Sequence, residues 1–421
     1  MKKSLIALAA LAATTAFAQS SVTISGTMDA GVMNQKFDNG TNVTNVSTGT
    51  NGASRLRFVG VEDIGNGTKA NFWLEMQPSF QDGTTSAAGL FNRGAWLGLS
   101  DTTFGEIRLG RQGTNSVAAV CDIDQQGCYT GFSGGGILFS GIGGAGAAYG
   151  YWMAANPTRG AIAQPTGLTT AYNSGTAVSG VAINNVLASS TGAINQTNPN
   201  SFAQDSTRYV RAVRYSLPSF VTGLSINATY AFGQQLVTGG HAGDSSGFDA
   251  NYVNGPLKLT AAYQKANGER VATTGSATTA ATLGPVGASG ELTTVGAIYN
   301  LGFASIGAGY QSEKATPGAA NTPNQLQFTK GEGFALTALV PLGAFTPYIK
   351  YGERKYSGGS FGTFTPTKMT NVGVRYALSK RTYVYADYVQ NGSNVIVTGA
   401  TQLFTQGSLE SQTNFGITHA F

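Results

Sequence analysis

The sequence predicts an all-β protein, a transmembrane antiparallel β-barrel of about sixteen strands, on three observations. From Val22 onward apolar and polar residues alternate with period two, with almost no helical period in any long window. Each alternating segment runs for about ten residues, the length a tilted strand needs to cross a bilayer. Charged residues are only 11% of 421, less than half the roughly 25% of a soluble domain, while Gly reaches 59. The longest apolar run, Leu5 to Ala13, falls short of the ~20 residues a spanning helix needs, which leaves a closed barrel as the way across a membrane. Collagen is excluded by the lack of a G-X-Y period and by only 12 Pro, and disorder by 18 Tyr and 22 Phe set between short polar stretches.

The elements follow in chain order. Lys2-Lys3, the apolar run and Ala16-Phe17-Ala18 before Gln19 form a secretory signal, so residues 1–18 are expected to be removed, leaving 19–421 as the barrel and lowering the formal charge from +5 to +3. Sixteen strands are expected. The first holds Val22, Ile24, Met28, Ala30 and Val32 on one face, and the second is Arg55 to Val61. A third carries Ala70, Phe72, Leu74 and Met76 opposed by Lys69, Asn71, Glu75 and Gln77. Arg93–Leu99, Glu106–Arg111, Arg208–Tyr215, Leu224–Gly233, Phe248–Val253 and Leu257–Lys265 follow. The rest are Leu292–Asn300, Phe303–Gln311, Gly333–Val340, Phe345–Glu353, Lys368–Leu378, Arg381–Gln390 and Glu410–Phe421. Short turns such as Asn254-Gly255-Pro256 and Leu301-Gly302 alternate with long Gly/Ser/Thr/Asn tracts at 34–53, 78–90, 234–246, 266–290, 312–332, 355–366 and 391–409. Short turns at one rim and long loops at the other describe an outer-membrane barrel.

One connection, 112–207, is too long for an ordinary loop. It is expected to fold into the lumen as a constriction loop that brings Asp122 and Asp124 inside; an external flap is the other placement. It also holds Cys121 and Cys128, the only cysteines, whose spacing and exported compartment allow a disulfide, with a free pair or a metal site as the alternatives.

Because the lipid face must be apolar, parity assigns the charges. Leu56 and Phe58 outward put Arg55 and Arg57 in the lumen. Ile107 and Leu109 do the same for Glu106 and Arg108, Val213 and Tyr215 for Arg214 and Arg208, and Val372 and Val374 for Arg375. Asn92 is expected in the lumen and Arg93 at the rim; Arg111 has no clear face. An arginine wall opposite loop carboxylates produces a transverse field and favours anions. Arginine suits this because it stays charged at any relevant pH. The alternative role is ion pairing with Glu106 and Glu75 that stiffens the wall.

Nothing points to catalysis, a cofactor or nucleic acid. His241 and His419 lack a neighbouring nucleophile motif, the Gly-rich stretches lack nucleotide-binding spacing, and no Lys/Arg cluster appears. The expected function is a passive water-filled channel for ions and small hydrophilic solutes, mildly anion-preferring; an outer-membrane adhesin or receptor barrel is the opposing class. The expected surroundings are outer-membrane lipid and lipopolysaccharide. Phe421, with Phe415 and Ile417 on its face, fits the terminal signal read by the barrel assembly machinery.

Several stretches also resemble the general porins of beta-proteobacteria: Gln19 to Gly26, Ser54 to Gly67, Gly105 to Gln112, Tyr376 to Thr382 and Gly416 to Phe421. The resemblance implies a sixteen-stranded homotrimer with its third loop folded inside, diffusing small solutes, usually with anion preference. It places a constriction arginine at Arg55 and a second basic position at Asn92, where this sequence has an amide. The length of 112–207 and its cysteine pair depart from the family.

Overall fold

The first strand, β1 (Ser21–Phe37), and the last, β19 (Leu409–Ala420), are hydrogen-bonded neighbours, with Ala30 opposite Ile417 and Gly31 opposite Gly416. That pairing closes the sheet and removes its edges. The computed structural model describes residues 21–37, 40, 42–49, 51–85, 90–123, 125, 208–232, 245–268, 288–316, 330–357, 367–391, 397–398, 401–402 and 409–421.

Between the two end strands the wall runs through β3 (Arg55–Gly65), β4 (Thr68–Met76), β5 (Gly94–Asp101), β6 (Gly105–Gly113), β7 (Arg208–Ser216), β8 (Leu224–Ala231), β9 (Ser245–Asn254) and β10 (Leu257–Gly268). It continues through β11 (Ala288–Asn300), β12 (Ser305–Thr316), β13 (Lys330–Leu339), β14 (Phe345–Ser357), β15 (Thr367–Ala377) and β16 (Thr382–Asn391). Every neighbouring pair is antiparallel and follows chain order, as consecutive hairpins require. A small ribbon, β17 (Val397–Thr398) with β18 (Thr401–Gln402), stands apart from the wall.

All sixteen expected strands are present. The tract 34–53, expected as a loop, is corrected: β1 runs on to Phe37 and pairs with a further strand, β2 (Asn42–Thr48), in register from Ala30 opposite Thr48 to Lys36 opposite Asn42. β3 pairs with the first part of the same β1, Ser21 to Thr27. Thus β2 and β3 share one place in the wall, and the sheet of seventeen strands has sixteen positions around the ring. Asn-rich β2 has alternating polarity too weak to stand out from a polar loop, and only its partner β1 makes it a strand.

The lipid face is what parity requires. Val22, Ile24, Leu97, Leu99, Leu109, Phe248, Phe415 and Ile417 are exposed large apolar side chains on outward positions. Inside, polar residues such as Asp29, Asp249, Thr294 and Asn414 are fully buried, the reverse of a soluble core. At the short-turn rim the β3–β4 hairpin closes through Asn66 and Gly67, both at positive φ (54° and 82°), the backbone of a tight Asn-Gly turn whose twist matches its strands.

Immediately after β6 the chain forms helix α1 (Asn115–Ile123) inside the barrel, against β8 to β12. Val117, Ala119, Val120 and Ile123 are buried, at about 1.5–3 kcal/mol for each Val or Ile so removed from water. Met369 and Val389, apolar residues on the inner faces of β15 and β16, belong to the same cluster. The wall makes room with Gly296, where a Cβ would lie 2.2 Å from Ile123 Cδ1. Polar anchors hold both ends: Asn115 Nδ2 donates to Asp249 Oδ1 at 2.5 Å, and Gln125 Nε2 donates to Thr337 Oγ1 at 2.8 Å. The start of the long connection therefore lies within the lumen, and the rest of 112–207 lies outside the described residues.

Candidate functional site: a basic cavity between the wall and the inner helix

The inward positions of β3 to β7 build one wall of a cavity of about 560 Å³, and Val117 and Cys121 of α1 close it from the other side. Five arginines line it, Arg55, Arg93, Arg108, Arg208 and Arg214, together with Glu75 and Glu106. Arg57, on the same face of β3 as Arg55, donates from Nε to Glu75 Oε2 at 2.8 Å. Glu75 is shared, because Arg93 Nε reaches its other oxygen at 2.6 Å. Arg93 also donates to Gln77 Oε1 at 2.8 Å, and its carbonyl accepts from Arg208 Nε at 2.7 Å. Farther along the wall Arg108 pairs with Glu106, and Arg214 pairs with the fully buried Asp249 at 2.8 Å. Among the described residues, six guanidiniums thus stand with three carboxylates, Glu75, Glu106 and Asp249, on this wall.

Indoles order this charge. Trp73 on β4 and Trp96 on β5 are direct cross-strand partners and stack at 6.2 Å. Arg57 lies over Trp73 at 5.4 Å and Arg108 over Trp96 at 4.5 Å, so a cation–indole–indole–cation row crosses four adjacent strands.

Parity places most of these residues, and Arg93 departs from it. Arg55, Arg57, Arg108, Arg214 and Glu106 face the lumen as parity requires; Arg208 also lines the cavity, but beyond a bulge of β7 that shifts the parity, where Ala212 and Tyr209 face Gly110 and Gln112 and Arg211 between them has φ 52°. Arg93, expected at the rim, is buried in the cavity wall. β5 begins only at Gly94, so Arg93 precedes the strand and escapes its parity. Asn92, expected in the lumen, does not line this cavity; its Oδ1 accepts from the Gln77 amide at 3.2 Å, and its carbonyl takes Arg111 Nε at 2.6 Å. Arg93, the next residue, brings a guanidinium to the cavity instead.

Arg375 faces inward as parity requires, but it does not line this cavity. From β15 it joins a separate cluster, its guanidinium 5.6 and 5.1 Å from the rings of Tyr348 and Tyr383 and its Nε donating to Asn51 Oδ1 at 3.1 Å. Asn51 belongs to the segment between β2 and β3, which dips into the lumen. Its amide donates to Asp29 Oδ1 at 3.3 Å, its Nδ2 to Tyr348 Oη at 3.0 Å, and its Oδ1 also accepts from Tyr383 Oη at 3.2 Å. Asp29 accepts further from Tyr385 and Thr418. No sequence signal marked Asn51, since it sits in a tract indistinguishable from a polar loop; Asp249, flanked by Phe248 and Ala250 on a strand, was legible as inward by parity alone.

Asp122 lies in α1, but its side chain, Asp124 and Cys128 are outside the described residues. Phe421 seals the seam: its amide donates to Gly26 O at 3.2 Å, its carbonyl accepts from Gly26 N at 3.1 Å, and its ring lies over His419 at 6.5 Å.

A family profile of Gram-negative porins matches residues 4–394. The chain belongs to the Gram-negative porin family. Members are outer-membrane proteins, and the apolar belt of this porin fits that location. Over 114 residues it is 48% identical to outer membrane porin protein 32 of Delftia acidovorans, covering 26% of this chain and 32% of the relative. Over 116 residues it is 44% identical to major outer membrane protein P.IB of Neisseria meningitidis serogroup B, covering 26% and 34%. The porin thus spans about a third of the length of these relatives. Among solved structures, the anion-selective porin from Comamonas acidovorans superposes with a TM-score of 0.64 at 24% identity, covering 96% of this chain and 100% of the other. OmpF of Salmonella typhi superposes at 0.58 and 15% identity, covering 95% and 97%. Both establish the fold.

Proposed function

We propose that this porin is a passive, water-filled channel for ions and small hydrophilic solutes, mildly anion-preferring, and has no catalytic role. The observation that carries this is that guanidiniums outnumber carboxylates among the described residues of a lumenal wall that α1 faces across the cavity. In a water-filled passage of low-dielectric wall, fixed cations raise the local anion concentration and lower the barrier to anion transit. Mild preference fits the pairing of Arg57, Arg93, Arg108 and Arg214 with wall carboxylates, which offsets part of the fixed positive charge.

The same reading extends to its setting. Residues 1–18 are a cleaved signal, 112–207 is the constriction-loop region, and Asp122 and Asp124 set the loop's charge against the arginines. Cys121 and Cys128 form a bridge that stiffens this loop, a reading supported by the absence of a free cysteine among the described residues. The porin assembles as a homotrimer, in keeping with a trimer form described for OmpT of Vibrio cholerae, which shares this fold. Lipopolysaccharide surrounds it, and Phe421 serves the assembly machinery. The decisive experiment is a planar-bilayer recording in a salt gradient. Stepwise conductance with a reversal potential displaced toward the chloride equilibrium value is expected; folded protein without conductance overturns the channel, and a displacement toward potassium overturns the selectivity.

A further inference from the structure

The lipid-facing side of the barrel changes chemistry toward the long-loop rim. On β12 and β13, Tyr310 and Phe334 stand opposite each other and are exposed on the outer face. Four residues farther toward the rim along each strand, roughly 13 Å away, the same face presents Lys314 directly opposite Lys330, both exposed. Side chains so placed have Cβ atoms about 5 Å apart, and like charges there oppose pairing.

Other charges on this outer band are matched across strands. Lys265 meets Glu291 at 3.5 Å, Lys355 meets Glu332 at 3.3 Å, and Lys368 meets Glu353 at 3.8 Å. Among the described residues no carboxylate is bonded to Lys314 or Lys330, and the connection between them, 317–329, contains no acidic residue. Glu291, the opposite neighbour of Lys314 on β11, is already engaged with Lys265. Two ammonium groups at this spacing fit a single anion with several oxygens held between them.

We propose that Lys314 and Lys330 form a binding site for the phosphomonoester headgroup of an outer-leaflet glycolipid, its acyl chains descending over Tyr310 and Phe334. The aromatic pair on the same face favours a lipid over free phosphate, because only a molecule with an apolar part gains from it. The site rests on the reading above that lipopolysaccharide surrounds the barrel and gives it an address on one hairpin.

The test uses the full-length folded porin, exchanged into detergent and loaded separately with bisphosphorylated lipid A, monophosphoryl lipid A or phosphatidylethanolamine, with retained lipid measured by native mass spectrometry. Retention in the order bisphosphorylated, monophosphoryl, phosphatidylethanolamine is expected. The K314Q/K330Q pair should weaken lipid A retention roughly tenfold to thirtyfold. Lys330→Glu, which supplies Lys314 with a partner from the protein itself, should abolish retention at this site while keeping the barrel at least as stable. Lys380→Gln, in the turn at the opposite rim, should change nothing. Inorganic phosphate that displaces no lipid A supports the lipid; full displacement at equal phosphate concentration shows a simple anion site and overturns the proposal. Equal retention by wild type and K314Q/K330Q also overturns it, whereas a wild type that retains none of the three lipids overturns the lipopolysaccharide reading itself.

Discussion

Trp73 and Trp96 lie parallel to within 7° across the β4–β5 pair, and each carries an arginine on its ring, Arg57 on Trp73 and Arg108 on Trp96. The indoles hold two long cationic side chains in fixed positions at about 0.5–1 kcal/mol per contact, more where water is excluded. Replacing either indole by Leu leaves every charge in place but frees its arginine. Noisier open-channel current and a reversal potential nearer zero are expected, with Trp→Phe largely restoring both; unchanged recordings would show that the row has no part in selectivity.

Glu75 is the carboxylate that two arginines share, Arg57 and Arg93. Glu75→Gln removes one negative charge from the cavity and should raise the anion-to-cation permeability ratio several-fold. Arg93→Gln should lower it, although the sequence alone placed that residue at the rim. The same reversal-potential measurement checks both, and a shift of equal sign in the two variants contradicts the geometry.

At Gly296 a side chain would occupy the place of Ile123. Gly296→Val should unseat α1 while leaving the outward face of β11 intact. Single-channel conductance should rise and solute exclusion relax, with the thermal unfolding midpoint of the barrel little changed; Ile123→Ala, which loses about 2–5 kcal/mol of local packing, should act in the same direction.

Asn51 uses every polar group of its side chain on Tyr348, Tyr383 and Arg375. Asn51→Ala removes its bonds to the buried Tyr348 and the half-buried Tyr383 and Arg375, at a cost of about 0.5–1.5 kcal/mol for each. A lower unfolding temperature with near-normal selectivity is expected, because the cluster sits apart from the cavity. A selectivity change as large as that of Arg93→Gln would place Asn51 in the permeation path.

The loop after β4 holds a pH-sensitive contact outside the membrane-spanning strands. Asp82 accepts from Thr84 Oγ1 at 2.7 Å and from the Thr84 amide at 3.0 Å, bonds that keep its carboxyl below the ordinary aspartate value. A depressed carboxyl stabilises the folded loop at and above the ordinary value, and the contribution fades as pH falls through the lowered one. Hydrogen exchange at the Thr84 amide, corrected for intrinsic rate, should stay slow from neutral pH down to the ordinary carboxylate range and quicken below it; Asp82→Asn should remove that acid transition.

The sequence by itself determined the barrel: period-two alternation, ten-residue segments and unequal loops leave one way to satisfy every backbone amide within lipid, and parity then turns Arg55, Arg57, Arg108 and Arg214 inward. Parity holds only while a residue is inside a strand. Arg93 stands one residue before β5, and Arg208 lies beyond the bulge at Arg211, so the positions of both depend on where hydrogen bonding begins and where it slips. β2 exists because β1 is long enough to pair with two segments in succession. The tertiary structure alone decided what fills the lumen: α1 against β8 to β12, and Asn51 on the tyrosines of β14 and β16. Such contacts join residues hundreds of positions apart, and no local pattern records them, because polar side chains facing a wet interior look the same in sequence whether they meet water or one another.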